Sequence, residues 1–492
     1  MGSGPRPEAQ APPAGPEPGE SAPASQILPQ EGAPDNVAEL TRHGLQRFQA
    51  GDLEGAARIF QTRVGVEPDQ PLAWNHLALA LSGLGRHEDA AEALARSLEL
   101  APGQPETWTS LASSLLQLGR YAAAAEASGR AVALAPEAAA GWQLQALALN
   151  AQNDFAGAAE AFGRALMLEG ESAALCANLG AALLKAGRFA EAAAMLGRAA
   201  MLDPAVDGVA EARDVALLAC AAVAGAPALP PADDAAADRL AKTAFLLLDA
   251  AGRGEAARRM AGAWVERSPG NLEARHLRDA ALSRPVDRQP PELVAQRFDE
   301  MAEDFDQVLV GRLGYDGPGE LARLLGGHLA GAARLDVLDL GCGTGLCAPV
   351  LRPLARRLAG VDLSAGMLAK ARARGLYDTL EQADLLDALA GPAPCWDLIV
   401  AMDAFPYLGD LAPVFAGAAA GLRAGGWFAF SVERVAGAGF ALRGNGRFAH
   451  AGDYVRSLAA GPFEVIAEVS VMLRREAGRA VDGGYYLLRR AA

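Results

Sequence analysis

Small and apolar positions recur through the first half of the chain with a period of 34 residues. Ala56, Ala90, Ala124, Ala158 and Ala192 share one place in the cycle, and Gly44, Ala78, Ala112, Ala146 and Gly180 share another. Trp74, Trp108 and Trp142 keep the same step, as do Pro68, Pro102, Pro136 and Pro204, with Gly170 at the skipped place. Within each cycle two helical stretches flank a turn at Gly85, Gly119 or Gly187, with Asn153 taking that place once. Small side chains let paired helices approach, larger ones fill the grooves, and Pro stops the second helix. The pattern predicts helical pairs over 37–70, 71–104, 105–138, 139–172 and 173–206. A helix over 209–223 and a loop over 227–234 interrupt it. A weaker pair at 238–271 and a capping helix at 272–282 follow.

The second half changes period. After a Pro-rich linker (283–291), residues 293–309 read as a helix with Val294, Phe298, Met301, Phe305 and Val308 on one face. A second helix (318–329) precedes the run Val337-Leu338-Asp339-Leu340-Gly341-Cys342-Gly343-Thr344-Gly345. This reads as a buried parallel strand breaking into glycines where a ligand approaches the backbone. Residues 346–359 are helix-like, although Pro349 and Pro353 tell against a regular start. A second strand ends at Asp362, Asp384 closes a third unit, and Trp396 to Asp403 is a fourth strand. The helix 411–422, a turn at Ala424-Gly425-Gly426 and the strand 427–433 come next. A Gly/Arg-rich segment, 434–450, reads as a lid over the substrate side. A helix (453–460) and an antiparallel pair (463–473 and 485–489, joined by a Gly/Asp turn) end the chain.

Composition narrows the function. The net charge is -15 over 492 residues, with 20 Lys+Arg against 24 Asp+Glu in residues 291–492. Neither half is basic, which disfavours nucleic acid as a partner. Five cysteines with no C-x-x-C pair suit a reducing cytoplasm, and no metal-ligand spacing occurs. The longest apolar stretch, 215–229, is too short to cross a bilayer, so no membrane span is expected. Residues 1–34, rich in Pro, Gly, Ala and Glu, read as a disordered tail without a signal peptide.

Asp339 to Gly345, Asp362, Asp384 and the Leu422-Arg423-Ala424-Gly425-Gly426-Trp427 turn resemble class I S-adenosylmethionine-dependent methyltransferases. The resemblance runs from about residue 291 to the end. It implies an α/β fold, a seven-stranded, mostly parallel sheet closed by an antiparallel hairpin, with S-adenosyl-L-methionine as cofactor. The Gly341–Gly345 loop would carry the methionine moiety, Asp362 would hold the ribose, and Asp384 with Leu385 would flank the adenine. The implied cofactor set is Asp339, Gly341, Cys342, Gly343, Gly345, Asp362, Leu363, Asp384, Leu385 and Asp403. The loop also satisfies a dinucleotide fingerprint through Gly343, Gly345 and Ala348. Against that stand Asp339, the glycines at every second position, and the closing hairpin.

The repeats resemble the tetratricopeptide repeat, giving an α solenoid over 35–282 ahead of the domain at 292–492. Phe298-Asp299-Glu300-Met301-Ala302-Glu303-Asp304-Phe305-Asp306 resembles the N-terminal cap that closes over donor and substrate in small-molecule methyltransferases. Together these features resemble the tetratricopeptide-repeat methyltransferases of bacteria, a family that leaves the methyl acceptor open. His450, Tyr407 and Asp403 are the candidates for general base or substrate orientation. No Asn-Pro-Pro-Tyr signature follows the fourth strand, which argues against methylation of amides or exocyclic amines of nucleobases and glutamine. The solenoid groove would hold a protein or peptide, with Asn75, Asn178 and Arg42 as candidate contacts; a plain spacer is the alternative. Two other classes stay open: a small-molecule enzyme whose repeats only scaffold, and an interaction protein with a vestigial nucleotide fold.

Overall fold

The computed structural model describes residues 37–229, 234–312, 314–329, 334–391, 395–476 and 479–491; the expected tail at 1–34 lies outside them. The chain divides into two compact units, one through Thr107 and one from Trp108. Helices pair as α1 (Val37–Gln49) with α2 (Leu53–Val66), α3 (Pro71–Gly83) with α4 (His87–Leu100), and α5 (Pro105–Gln117) with α6 (Tyr121–Leu134). They continue as α7 (Ala139–Ala151) with α8 (Phe155–Glu169) and α9 (Ala173–Lys185) with α10 (Phe189–Leu202). Each turn is left-handed, at Gly85, Gly119 and Gly187 (φ 73, 70 and 75) and at Asn153 (φ 64). Ala56, Ala90, Ala124, Ala158 and Ala192 are all 0% exposed. A Cβ on Gly180 would lie 2.6 Å from Leu196 Cγ, so the pair closes only on a bare backbone.

Helix α11 (Val209–Ala224) interrupts the cycle, and α12 (Asp234–Ala250), α13 (Gly254–Arg267) and α14 (Leu272–Ala281) resume it. The weak pair has its own polar clip. Asp238 accepts from Trp264 Nε1 at 2.6 Å and from Ser268 Oγ and Asn271 Nδ2, both at 2.7 Å. Among the described residues no helix is long and apolar enough to cross a membrane.

Helices α15 (Pro291–Met301) and α16 (Gly317–Gly326) lead to β1 (Leu335–Leu340). The α/β layers then run α17 (Ala348–Leu351), β2 (Ala355–Asp362), α18 (Ala365–Ala373), β3 (Thr379–Gln382), α19 (Leu385–Leu389), β4 (Trp396–Ala401), α20 (Ala412–Gly421) and β5 (Leu422–Glu433). A small hairpin of β6 (Phe440–Leu442) and β7 (Phe448–His450), α21 (Gly452–Ala459), β8 (Phe463–Glu476) and β9 (Arg479–Arg490) complete the chain. The seven-stranded sheet has the order β3-β2-β1-β4-β5-β9-β8. Strands β1 to β5 are parallel, and β9 runs antiparallel between β5 and β8. Both faces are covered: Leu338, Ile399, Phe428 and Phe430 pack on one side, and Val337, Leu398, Val400 and Ala429 on the other. Such strands read as continuous apolar runs.

Three segments differ from the sequence expectation. Residues 346–354 hold only the single turn of α17, whose first turn accepts Pro349 and which Pro353 cannot continue, and the chain enters β2 at Ala355. The expected helix over 293–309 stops at Met301 and resumes as a π-helical turn, Gln307–Arg312. Asp482, Gly483 and Gly484, read as a turn, lie inside β9 opposite Met472, Val471 and Ser470. The glycines there make room: a Cβ on Gly483 would lie 2.3 Å from Leu473.

Two helix glycines should respond oppositely to substitution. Gly180→Val should cost about 1–3 kcal/mol by overpacking Leu196. Gly163→Ala in α8, where a Cβ meets nothing within 4 Å, should be neutral or stabilising by about 0.4–1 kcal/mol. Urea unfolding of both variants checks this, and equal destabilisation would contradict the close approach.

Candidate functional site

Beyond the carboxyl end of the parallel strands lies a cavity of about 250 Å³. Its floor is the loop leaving β1. Gly341, Gly343 and Gly345 take φ values of 66, 55 and 82, which L side chains rarely adopt. They are not equivalent. Gly343 faces open space, with nothing within 4 Å of a built Cβ. A Cβ on Gly341 would lie 2.9 Å from Ala404 Cβ, and one on Gly345 would lie 3.0 Å from Tyr377. Only Gly343 keeps the cavity clear; the other two let the loop pack.

Acids end the strands around this floor. Asp339, at the end of β1, is buried and accepts from Tyr377 Oη at 2.7 Å. Burial pushes its carboxyl up to about 7, against the pull of the Tyr377 hydrogen bond, and the Asp362 charge adds to the rise. Asp362 ends β2; its Oδ2 accepts from Gly343 N and its Oδ1 from Ser364 N, both at 2.9 Å. Burial raises it as well, partly offset by those two N–H donors. Asp384 caps α19 through Leu386 N at 2.9 Å and pairs with Arg288. Nine of the ten residues expected to hold the cofactor line the cavity: Asp339, Gly341, Cys342, Gly343, Asp362, Leu363, Asp384, Leu385 and Asp403. Gly345 supports the loop from behind.

Helix α15 roofs the cavity with Val294, Phe298 and Met301; past its break, Phe305 and Leu309 take over, rather than Val308. The break brings acids onto the glycine loop. Asp306 accepts from Thr344 Oγ1 at 2.5 Å and pairs with Arg374. Asp299 accepts from Ser364 Oγ at 2.6 Å and Gly366 N at 2.9 Å, and these bonds hold its carboxyl below the usual range. Gly366 permits the approach, since a Cβ there would lie 3.0 Å from Ala302.

Of the three catalytic candidates, two reach the cavity. Tyr407 lines it, edge-on to Phe298 at 5.3 Å, and burial pushes its hydroxyl up. Asp403 lines it with a strained φ of 54, its N–H donating to Ser431 Oγ at 2.8 Å. His450 does not. It is wholly buried at the end of β7, and its Nε2 meets the Leu408 and Gly409 carbonyls at 2.9 and 3.1 Å. Burial lowers it to about 4, so the ring stays neutral and fastens backbone instead of moving a substrate proton. Of the segment expected as a lid, 434–450, Phe448, Ala449 and His450 are 0% exposed, residues 436–438 and 445 are exposed, and Arg447 lines the cavity.

The cations of the site carry no signature in the sequence. Arg474, 1% exposed on β8, pairs with Glu433 and meets Asp403 at 3.1 Å. Arg447, at the tip of the β6–β7 hairpin, meets Glu433 at 2.8 Å and Asp403 at 3.5 Å, and lies over the Tyr407 ring at 5.5 Å. Arg288 and Gln289 line the cavity from the expected linker, 283–291. That segment pairs with the β4 exit: Gln289 N donates to Tyr407 O at 2.9 Å, and Gly409 N donates to Asp287 O at 2.7 Å. No local motif marks any of these, because their partners lie tens of residues away. In the solenoid, Asn75 is committed internally: its Nδ2 donates to Gln104 at 3.0 Å and Thr107 at 2.9 Å.

Residues 337–426 match a family model described as a methyltransferase domain, and residues 41–105, 109–174 and 149–213 match tetratricopeptide repeat models. A ubiquinone biosynthesis O-methyltransferase of Albidiferax ferrireducens is 31% identical over 109 residues, 21% of this chain and 43% of that protein. The human methyltransferase-like protein 27 is 38% identical over 110 residues, 22% of this chain and 44% of that protein. The chain thus spans less than half the length of the curated relatives it matches. Among solved structures, MamA overlaps 34% of this chain and 92% of its own at 21% identity, with a TM-score of 0.33. The N-methyltransferase NodS from Bradyrhizobium japonicum WM9, in complex with S-adenosyl-L-homocysteine, overlaps 40% and 98% at 20% identity, again with a TM-score of 0.33. The strand order and the site at its carboxyl edge define a class I methyltransferase fold, one whose usual methyl donor is S-adenosylmethionine. The chain carries tetratricopeptide repeats followed by such a methyltransferase domain.

The Asp339 carboxyl should leave a signature in stability. Its folded pKa lies above the unfolded one, so the contribution is full below the unfolded value and is lost as pH rises through about 7. Between about pH 5 and pH 8 the native protein should lose on the order of 2–3 kcal/mol that Asp339→Asn does not lose. Urea titrations of both proteins at the two pH values decide it; identical slopes would remove the buried acid.

Proposed function

We propose that the protein transfers a methyl group from S-adenosylmethionine to an acceptor that enters beneath α15. The observation that carries this reading is the convergence of Asp339, Asp362, Asp384 and Asp403, from the ends of four strands, on one cavity with an open Gly343. The residues present fit the donor. Asp362 accepts one backbone N–H on each oxygen, and each oxygen retains a lone pair for a ribose hydroxyl. Asp339, whose carboxyl burial pushes up to about 7, would gain charge beside a cationic ammonium or sulfonium. The donor supplies an activated methyl carbon, so the protein has mainly to align and to exclude water, which is worth roughly 7–11 kcal/mol. Phe298, Met301 and Phe305 would exclude water, and Tyr407 and Asp403 would face the acceptor. Asp403, anchored by Arg474, is the candidate to receive or orient a proton.

The aromatic roof supports a small molecule, or the tip of a flexible side chain, as acceptor, rather than a folded surface. The repeats would hold a protein or peptide that recruits the enzyme or delivers its substrate. The five cysteines are unpaired, which fits a reducing cytoplasm. The whole chain with tritiated donor should label one fraction of a cell extract, protein or small molecule, and no label in either would sink the reading. Asp362→Ala should weaken S-adenosylhomocysteine binding at least about tenfold by calorimetry; unchanged affinity would remove Asp362 from the site.

A further inference from the structure

The geometry points to Arg288, in the strap between the repeats and the methyltransferase domain, as a residue that reads the donor's adenine together with Asp384. This rests on the donor reading above and adds a residue outside the segment that matches the methyltransferase family model, 337–426. The strap is fixed by backbone bonds on both sides of Arg288. Gln289 N donates to Tyr407 O at 2.9 Å, Gly409 N and Asp410 N donate to Asp287 O at 2.7 and 3.0 Å, and Arg288 bridges Leu408 antiparallel. Its side chain therefore starts from a rigid backbone and enters the end of the cavity formed by Leu363, Ala383, Asp384 and Leu385.

There the ion pair is only half used. Arg288 Nη2 pairs with Asp384 Oδ2, while Asp384 Oδ1 is occupied as the cap of α19. Arg288 Nε is buried with no hydrogen-bond partner. A buried guanidinium N–H without an acceptor is costly, and the Arg288 side chain, 33% exposed, can turn that N–H to a ligand that supplies one, which relieves the cost. The pair thus sets a donor, Arg288 Nε, beside an acceptor, Asp384 Oδ2. Adenine carries the complement on adjacent atoms: the exocyclic amino group donates, and the ring nitrogen next to it, N1 or N7, accepts. Leu363, Ala383 and Leu385 offer apolar surface for its faces. A site built to satisfy both atoms rejects a base that lacks one of them.

The test is calorimetry on the full chain with S-adenosylhomocysteine and its 1-deaza and 7-deaza analogues, each of which replaces one ring nitrogen by C–H. Wild type should bind the parent compound and lose about tenfold or more in affinity for one of the two analogues. Arg288→Met, and Arg288→Lys, which keeps the charge and lacks Nε, should bind that analogue within about threefold of the parent. Because each comparison is made within one protein, a change in its stability does not enter the ratio. If both analogues bind wild type like the parent, or if the loss persists in both variants, Arg288 only latches the strap and the proposal is overturned. If wild type binds no S-adenosylhomocysteine at all, the donor reading itself falls.

Discussion

Asp339, near the end of a strand buried on both faces, is 2% exposed, and the domain is arranged around supplying donors to it and to Asp362, Asp384 and Asp403 at the neighbouring strand ends, which the cavity leaves partly exposed. Asp339 takes the Tyr377 hydroxyl, Asp362 the N–H groups of Gly343 and Ser364, Asp384 the Leu386 N–H and Arg288, and Asp403 the guanidinium of Arg474. Each donor comes from a different later or earlier segment. Satisfying the acids therefore draws the glycine loop, the α18 and α19 starts, the strap and the far strand β8 onto one cavity. Burial raises Asp339 and Asp362 because this supply is incomplete, and the shortfall is what a cationic or hydroxyl-bearing ligand can make up.

The repeats are part of the same arrangement. The Gly446 carbonyl, at the tip of the β6–β7 hairpin, is shared by His276 Nε2 of α14, at 2.7 Å, and by Gln289 Nε2 of the strap. Burial lowers His276, so it stays a neutral ring with one N–H to give, and Nε2 gives it to that carbonyl. Glu273 of α14 pairs with Arg297 of α15 and Lys242 of α12, both at 2.9 Å. Arg447 follows Gly446 directly and lines the cavity. The last helices of the solenoid and the seven-stranded sheet accordingly belong to one compact unit, and the division after Thr107 falls within α5, near the start of the third repeat.

Apolar and small-residue periodicity carried most of the architecture. The 34-residue cycle sets helix pairs whose ends lie within a few residues of the expected bounds, because each pair packs mainly on its sequence neighbours. Strand β1, its glycines and Asp362 were legible for a similar reason: a strand, a sharp turn and the next strand end form one local unit. The errors share a cause too. Gly483 and Gly484 look like a turn, yet β9 needs them where Leu473 and Arg434 cross it. The helix over 293–309 is continuous in pattern, yet it breaks where Asp306 reaches Thr344 and Arg374.

The sequence by itself determined the repeats, the parallel sheet and the four acids at its strand ends, because each depends on residues within one or two turns of chain. Tertiary structure alone decided what surrounds those acids. Arg288, Arg447 and Arg474 reach the cavity from segments scattered over nearly two hundred residues, and His450, promising in isolation, spends its proton on two backbone carbonyls. Side-chain charge is written locally, but its partner and its burial exist only once distant segments share a low-dielectric interior.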